Sequence, residues 1–169
     1  MEHIEIRETM PEDAEKLIAY LKKVGAETDN LTFGKEGLSV TVEQEKAYLT
    51  KVHEEQRSVH YSVWKEGELI ADGSLSGLPR RMSHYAELGL SVIKAQWNQG
   101  IGGRLLDELI AYARQASIEI IRLEVRSDNA GAIHLYEKYG FKRVGMIPGY
   151  FKINDTYVDF VMMCLDLRG

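Results

Sequence analysis

The 169-residue sequence predicts a mixed α/β fold in one domain, residues 1–169, built from a sheet of about seven strands with about four helices packed against it. Three observations carry that expectation. Apolar residues recur at strand spacing in some segments and at helical spacing in others. A Gly-containing turn, Lys65-Glu-Gly-Glu68, joins two β-prone runs into a hairpin. Strand and helix signals follow one another with no internal repeat and no linker. The bulk composition agrees, with 44% hydrophobic and 28% charged residues and only three prolines, as in an ordinary globular chain.

Taken in order, Ile4 and Ile6 alternate with charged neighbours and predict a first strand. Thr9-Met-Pro-Glu12 then offers a capping box with proline in the first turn. A helix follows with Ala14, Leu17, Ile18 and Leu21 on one face, ending near Gly25. Residues 27–37 are irregular, a surface loop with the makings of a pocket wall. Thr41-Val-Glu-Gln44 is a second capping box and opens a charged helix to about Gln56, with His53 facing solvent. Ser58–Trp64 and Leu69–Leu75 are the hairpin strands, and Tyr85–Val92 is the next strand after the loop Pro79–Ser83. Leu105, Leu106, Leu109, Ile110 and Ala113 form the buried face of a third helix. Ile118–Val125 returns as a strand, Asn129–Tyr139 is a helix capped by Gly140, and Phe141–Gly145 and Tyr157–Leu167 complete the set.

Several function classes fall away on composition. A net charge of −5 argues against a nucleic-acid partner, since phosphate-backbone binders carry a basic excess or stripe. The lone Cys164 sits in the apolar run Phe160–Leu165; it allows no intrachain disulfide and reads as a buried structural thiol in a reducing compartment. Met1–Glu5 lacks the basic start of a leader and no run is long enough to span a membrane, so a cytoplasmic protein is expected. His3, His53, His60, His84 and His134 have no metal-ligand spacing.

The chemically informative stretch is Gln99-Gly-Ile-Gly-Gly-Arg-Leu-Leu106, three glycines in four residues leading into a helix. Such a turn aims bare backbone N–H groups at one point, where the helix dipole adds positive potential, and so makes an anion cradle. It is not a dinucleotide fingerprint, because Leu105 stands at the third glycine position and seven residues separate Val92 from Gly100. Nor is it a P-loop, since Leu105-Leu106 replaces Lys-Ser/Thr.

Trp97-Asn-Gln-Gly-Ile-Gly102 is similar to the Arg/Gln-x-x-Gly-x-Gly/Ala loop of the GCN5-related N-acetyltransferase superfamily, with Trp97 in place of the usual Arg or Gln. Leu90-Ser-Val92, Leu123–Asn129 and the run from Ala130 to Phe141 resemble the same family in order and spacing. The resemblance implies a mostly antiparallel sheet and acetyl-CoA as cosubstrate. It implies diphosphate contacts from Asn98, Gln99, Gly100, Ile101, Gly102, Gly103 and Arg104, and pantetheine contacts from the backbone of Leu90, Ser91 and Val92, with the Val92 N–H facing the thioester oxygen. It gives Asn129 a CoA contact and Tyr136 the role of acid to the leaving thiolate. These two residues are seven apart, so they share one helix face. An attacking ammonium must lose a proton, and a carboxylate is the natural base. Glu124 matches the position used by ribosomal-protein alanine acetyltransferases, and Glu87 lies on the opposing strand; either could instead pair with Arg122 or Arg126. The expected activity is acetyl transfer by direct attack to a small-molecule or peptide amine acceptor, including polyamines and protein N-termini. The resemblance also admits a homodimer. A non-catalytic acyl-CoA sensor is the alternative, against which Tyr136 and the two glutamates count.

Overall fold

Strand-period apolar residues build β1 (Ile4–Glu8) in the computed structural model, which describes residues 3–169. Met1 and Glu2, at the start of the stretch read for a leader, lie outside the described residues. The expected Thr9–Glu12 cap is corrected. Thr9 is buried against Ser62, and it is the Asp13 carboxylate that accepts the Met10 N–H at 2.8 Å, across a single 3-10 turn (Pro11–Asp13). The helix α1 (Ala14–Glu27) then runs through Gly25 rather than stopping there. A Cβ at Gly25 would lie 2.1 Å from the Gly34 carbonyl oxygen, so this glycine lets the following loop close onto the helix. The second box forms as expected. Gln44 N–H donates to Thr41 Oγ1 at 3.1 Å and Thr41 N–H to Gln44 Oε1 at 2.9 Å, which opens α2 (Val42–Glu54).

The hairpin consists of β2 (Val59–Lys65) and β3 (Glu68–Gly77), turned by Glu66 and Gly67, both at positive φ as a tight primed turn requires. β4 (Tyr85–Val92), α3 (Ile101–Gln115), β5 (Ile120–Arg126) and α4 (Ala130–Lys138) follow, the last stopped by Gly140 at φ +97°. The final hairpin is longer than expected. β6 (Lys142–Ile153) continues well beyond Gly145 and pairs with β7 (Thr156–Asp166), its register shifting between Ile147 and Phe151 to absorb Pro148 and Gly149. Cys164 on β7 is half-buried rather than fully buried, and that burial pushes its thiol up.

The seven strands form one sheet in the order β1-β2-β3-β4-β5-β7-β6, antiparallel throughout except for β4 against β5. Helices α1 and α2 pack on β2 and β3 from one face, and α3 packs on β2, β3 and β4 from the other. Leu105, Leu106 and Leu109 of α3 are wholly buried, each worth about 1.5–3 kcal/mol of transfer free energy. Gly73 makes room for them, since a Cβ there would meet Leu109 at 2.9 Å and Leu105 at 3.0 Å. The fold therefore clamps β2 and β3 between helices and leaves the β4–β5 junction as the place where the sheet changes direction.

Candidate active site

β4 and β5 pair over three positions only, Tyr85 with Ile120, Ala86 with Ile121 and Glu87 with Arg122. Beyond Glu87 the strands diverge into a fork. Ile93 N–H donates to Ile70 O at 3.0 Å, so the alternation of an antiparallel ladder gives the odd-numbered residues of β4 to β3. Leu90 and Val92 accordingly turn their N–H and C=O groups outward into the fork. The Val92 carbonyl already accepts the Trp97 indole N–H at 2.8 Å, which leaves the Val92 N–H as the open donor at that end. A cavity of about 430 Å³ fills the fork, with Leu90, Ser91 and Val92 on one wall and Glu124, Val125 and Arg126 on the other.

The N-terminus of α3 enters the same cavity through Asn98, Gly100, Ile101, Gly102 and Gly103. Gly100 is the N-cap at φ +79° and supplies no side-chain cap, so the first-turn N–H groups of α3 keep no capping partner. That is the chemistry an anionic diphosphate needs, and the residues fit such a group. The glycines divide their work. Gly100 serves backbone conformation, whereas a Cβ at Gly102 would meet Leu135 at 3.2 Å and one at Gly103 the Tyr139 hydroxyl at 3.1 Å. These two therefore also let α4 approach α3. Gln99 and Arg104 do not line the cavity: Arg104 is exposed and Gln99 Nε2–H donates to Ala95 O at 3.4 Å. The cradle is a backbone one.

Helix α4 presents both of its expected residues to the cavity. Asn129 is the N-cap, its Oδ1 accepting Ala132 N–H at 3.2 Å, so its amide NH₂ is the part left for a ligand. Tyr136 is 7% exposed and tilts against Phe141 with ring centroids 5.6 Å apart. Burial holds its phenol well above the ordinary value, so it is protonated at any neutral pH. His134 points away from this face and is exposed.

The two carboxylates differ. Glu124 lines the cavity, and its hydrogen bonding to Tyr150 is the first cause of that phenol's raised pKa, burial the second. Glu87 sits at the last paired position and accepts Arg122 Nη2–H at 3.3 Å, off the cavity wall. Arg126 takes neither glutamate: it forks onto Asp128 at 3.0 and 2.9 Å and donates to the Asp29 carbonyl at 3.2 Å. That bond ties the α1–α2 loop to the fork, and Thr28, Asn30 and Leu31 of the loop line the cavity. Sequence reasoning flagged this loop only as a pocket wall and missed the individual residues, because an irregular segment carries no periodicity to orient them. Among the described residues no cluster of His, Cys, Asp and Glu could hold a metal ion, and no helix is long and apolar enough to cross a membrane.

Comparison with known proteins bears on this geometry. The chain is similar to the N-alpha-acetyltransferase RimI of Mycobacterium tuberculosis, 37% identical over 94 residues, which cover 54% of this chain and 58% of that protein. It is similar to the L-amino acid N-acetyltransferase AaaT of Escherichia coli, 38% identical over 86 residues, 50% of this chain and 52% of the relative. The chain thus spans about half the length of the curated relatives it matches. A solved acetyltransferase of the GNAT family from Streptococcus pneumoniae superposes with a TM-score of 0.94 at 28% identity, covering 97% of this chain and 99% of that one. The model of the acetyltransferase (GNAT) family matches residues 26–141, more than half of the sequence, and that span takes in the fork, the glycine turn and α4. The chain belongs to the GNAT acetyltransferase family.

Proposed function

We propose that the protein is an acetyl-CoA-dependent N-acetyltransferase that acetylates a primary amine by direct attack. The observation that carries this reading is the fork: outward N–H groups on an unpaired strand edge beside an uncapped helix start. An extended amide-bearing arm pairs with such an edge as an added strand, while the helix start takes the anion. When bound, acetyl-CoA supplies an activated acyl thioester. The chain supplies the rest. The backbone of Leu90–Val92 and of Gly100–Gly103 holds the donor, with Asn98 and Asn129 beside it. The Val92 N–H faces the position where negative charge grows. Tyr136, a neutral phenol, gives a proton to the departing sulfur, and Glu124, in the cavity, takes one from the acceptor ammonium, directly or through water. Glu87 is the weaker candidate for base because Arg122 already engages it.

The names of the two relatives, an N-alpha-acetyltransferase and an L-amino acid N-acetyltransferase, support an α-amine as acceptor, on a free amino acid or a peptide N-terminus. The test is a panel of amino acids, peptides, polyamines and aminoglycosides with acetyl-CoA, following release of free thiol and the mass of the product. Acetylation of at least one amine class is expected. Tight CoA binding with every acceptor left unmodified would return the protein to a sensor of acyl-CoA.

A further inference from the structure

The sheet face beneath α1 and α2 carries a row of polar groups where the surrounding core is apolar. His60 Nε2 lies 3.0 Å from Asp72 Oδ2, and Ser91 Oγ–H donates to Asp72 Oδ1 at 2.5 Å. A carboxylate only accepts, so the Ser91 proton is committed to Asp72 and the Tyr20 hydroxyl, 2.8 Å away, donates to Ser91 Oγ. His60 and Asp72 are 7% and 9% exposed. His60 Nδ1 is buried with no hydrogen-bond partner, and the edge of the Tyr48 ring packs at 6.2 Å. Glu45 of α2 is buried nearby.

Such a row is a poor way to stabilise a core. A buried His–Asp pair is weak evidence for stability, which points to a role other than holding the fold. The placement of the groups says which. The row ends at Ser91, which stands between Leu90 and Val92 on the stretch of β4 that has lost β5. Asp72 and Ser91 are directly opposed across β3 and β4. Fixing the Ser91 side chain from both α1 and β3 fixes the peptide plane between Ser91 and Val92, which carries the open Val92 N–H. Nothing in β5 can do this at that height of the fork.

We propose that Asp72, braced by His60, is a positioning residue that sets the fork-facing edge of β4 through Ser91. The inference rests on the acetyl-transfer reading of the fork for its kinetic consequence, and on geometry alone for its structural one. Both are measured on the full chain carrying Asp72→Asn, Ser91→Ala, or the two together. In amide nitrogen–proton spectra of the unliganded protein, each single variant is expected to shift the Val92 resonance more than those of Gly102 and Gly103. With acetyl-CoA and an accepted amine, kcat is expected to fall by about 10- to 100-fold in each single variant, with CoA affinity falling far less and acceptor KM unchanged. The double variant should fall no further than the worse single one, because both act through one contact.

A Val92 amide unmoved in both single variants overturns the proposal. So do losses that multiply in the double variant, or CoA affinity and melting temperature falling in step with kcat. Ser91→Ala buries no new charge, so it keeps the comparison available should Asp72→Asn not fold. If the unaltered chain acetylates no amine, the functional reading fails, while the Val92 resonance still decides this one.

Discussion

Tyr136 and Glu124, the proposed acid and base, sit in opposite environments. Tyr136 has its phenol raised by burial alone and forms no carboxylate contact, so it stays neutral. Glu124 lines the open cavity beside Tyr150. Tyr136→Phe keeps the ring against Phe141 and removes only the hydroxyl. Turnover should drop by about 10²–10⁴, the usual worth of general acid catalysis, and CoA binding, followed by calorimetry, should change far less. Because the folded phenol titrates above its ordinary value near 10, the rate profile should show no alkaline decline assignable to Tyr136 up to about pH 10. Retained turnover in the Phe variant would make Tyr136 a packing residue. Glu124→Gln should lower kcat/KM more than Glu87→Gln, most at neutral pH and less where the acceptor is already a free amine. Equal and small effects at all pH values would assign the proton to water. The sequence placed both glutamates on facing strands but could not choose between them, since the choice depends on the register Glu87–Arg122, a contact across 35 residues. The Asp72–Ser91–Tyr20 row was invisible for the same reason: its members are brought together by ladder register and helix docking.

At the level of elements, the glycine turn separates two roles that looked like one in the sequence. Gly100 needs positive φ, so Gly100→Ala should cost about 1–2 kcal/mol of stability from left-handed strain and loosen the start of α3. Thermal melting and CoA affinity should fall together. Gly102→Val meets Leu135 before it meets any ligand. It should therefore push α4 away and disturb Asn129 and Tyr136, seen as a larger loss in kcat than in CoA affinity; the reverse pattern would mean that the new side chain crowds the donor directly. The order of elements was legible because each carries its own signal: helical spacing of Leu105, Leu106, Leu109 and Ala113 on α3, and β-prone runs on either side of a Gly-containing turn for β2 and β3. The helix start was misread because tertiary pairing with Ser62 takes Thr9 away, and it is Asp13 that accepts the Met10 N–H. The far half of β6 was missed because Pro148 and Gly149 break the alternation, and only the partner strand shows that pairing resumes at Phe151.

Across the whole molecule, a ligand that binds only the folded chain raises its melting temperature in proportion to the logarithm of its concentration over Kd. Acetyl-CoA and CoA should both do so, and NAD and ATP much less; equal shifts from all four would remove the donor assignment. The three-residue junction of β4 and β5 has a mechanical consequence as well. It is a seam between two half-sheets, β1–β4 and β5–β7–β6, crossed elsewhere by local contacts such as α4 on α3 at Gly102 and Gly103, Arg122 on Glu87 and Arg126 on the Asp29 carbonyl. A junction so short is where cooperative unfolding divides into separate units. In hydrogen-exchange mass spectrometry of the unliganded chain, peptides from β6 and β7 should therefore exchange earlier than those from β2 and β3. A donor lying in the fork touches both halves at once, so it should act as a rivet: with CoA bound, the two sets of peptides should exchange at closely similar rates.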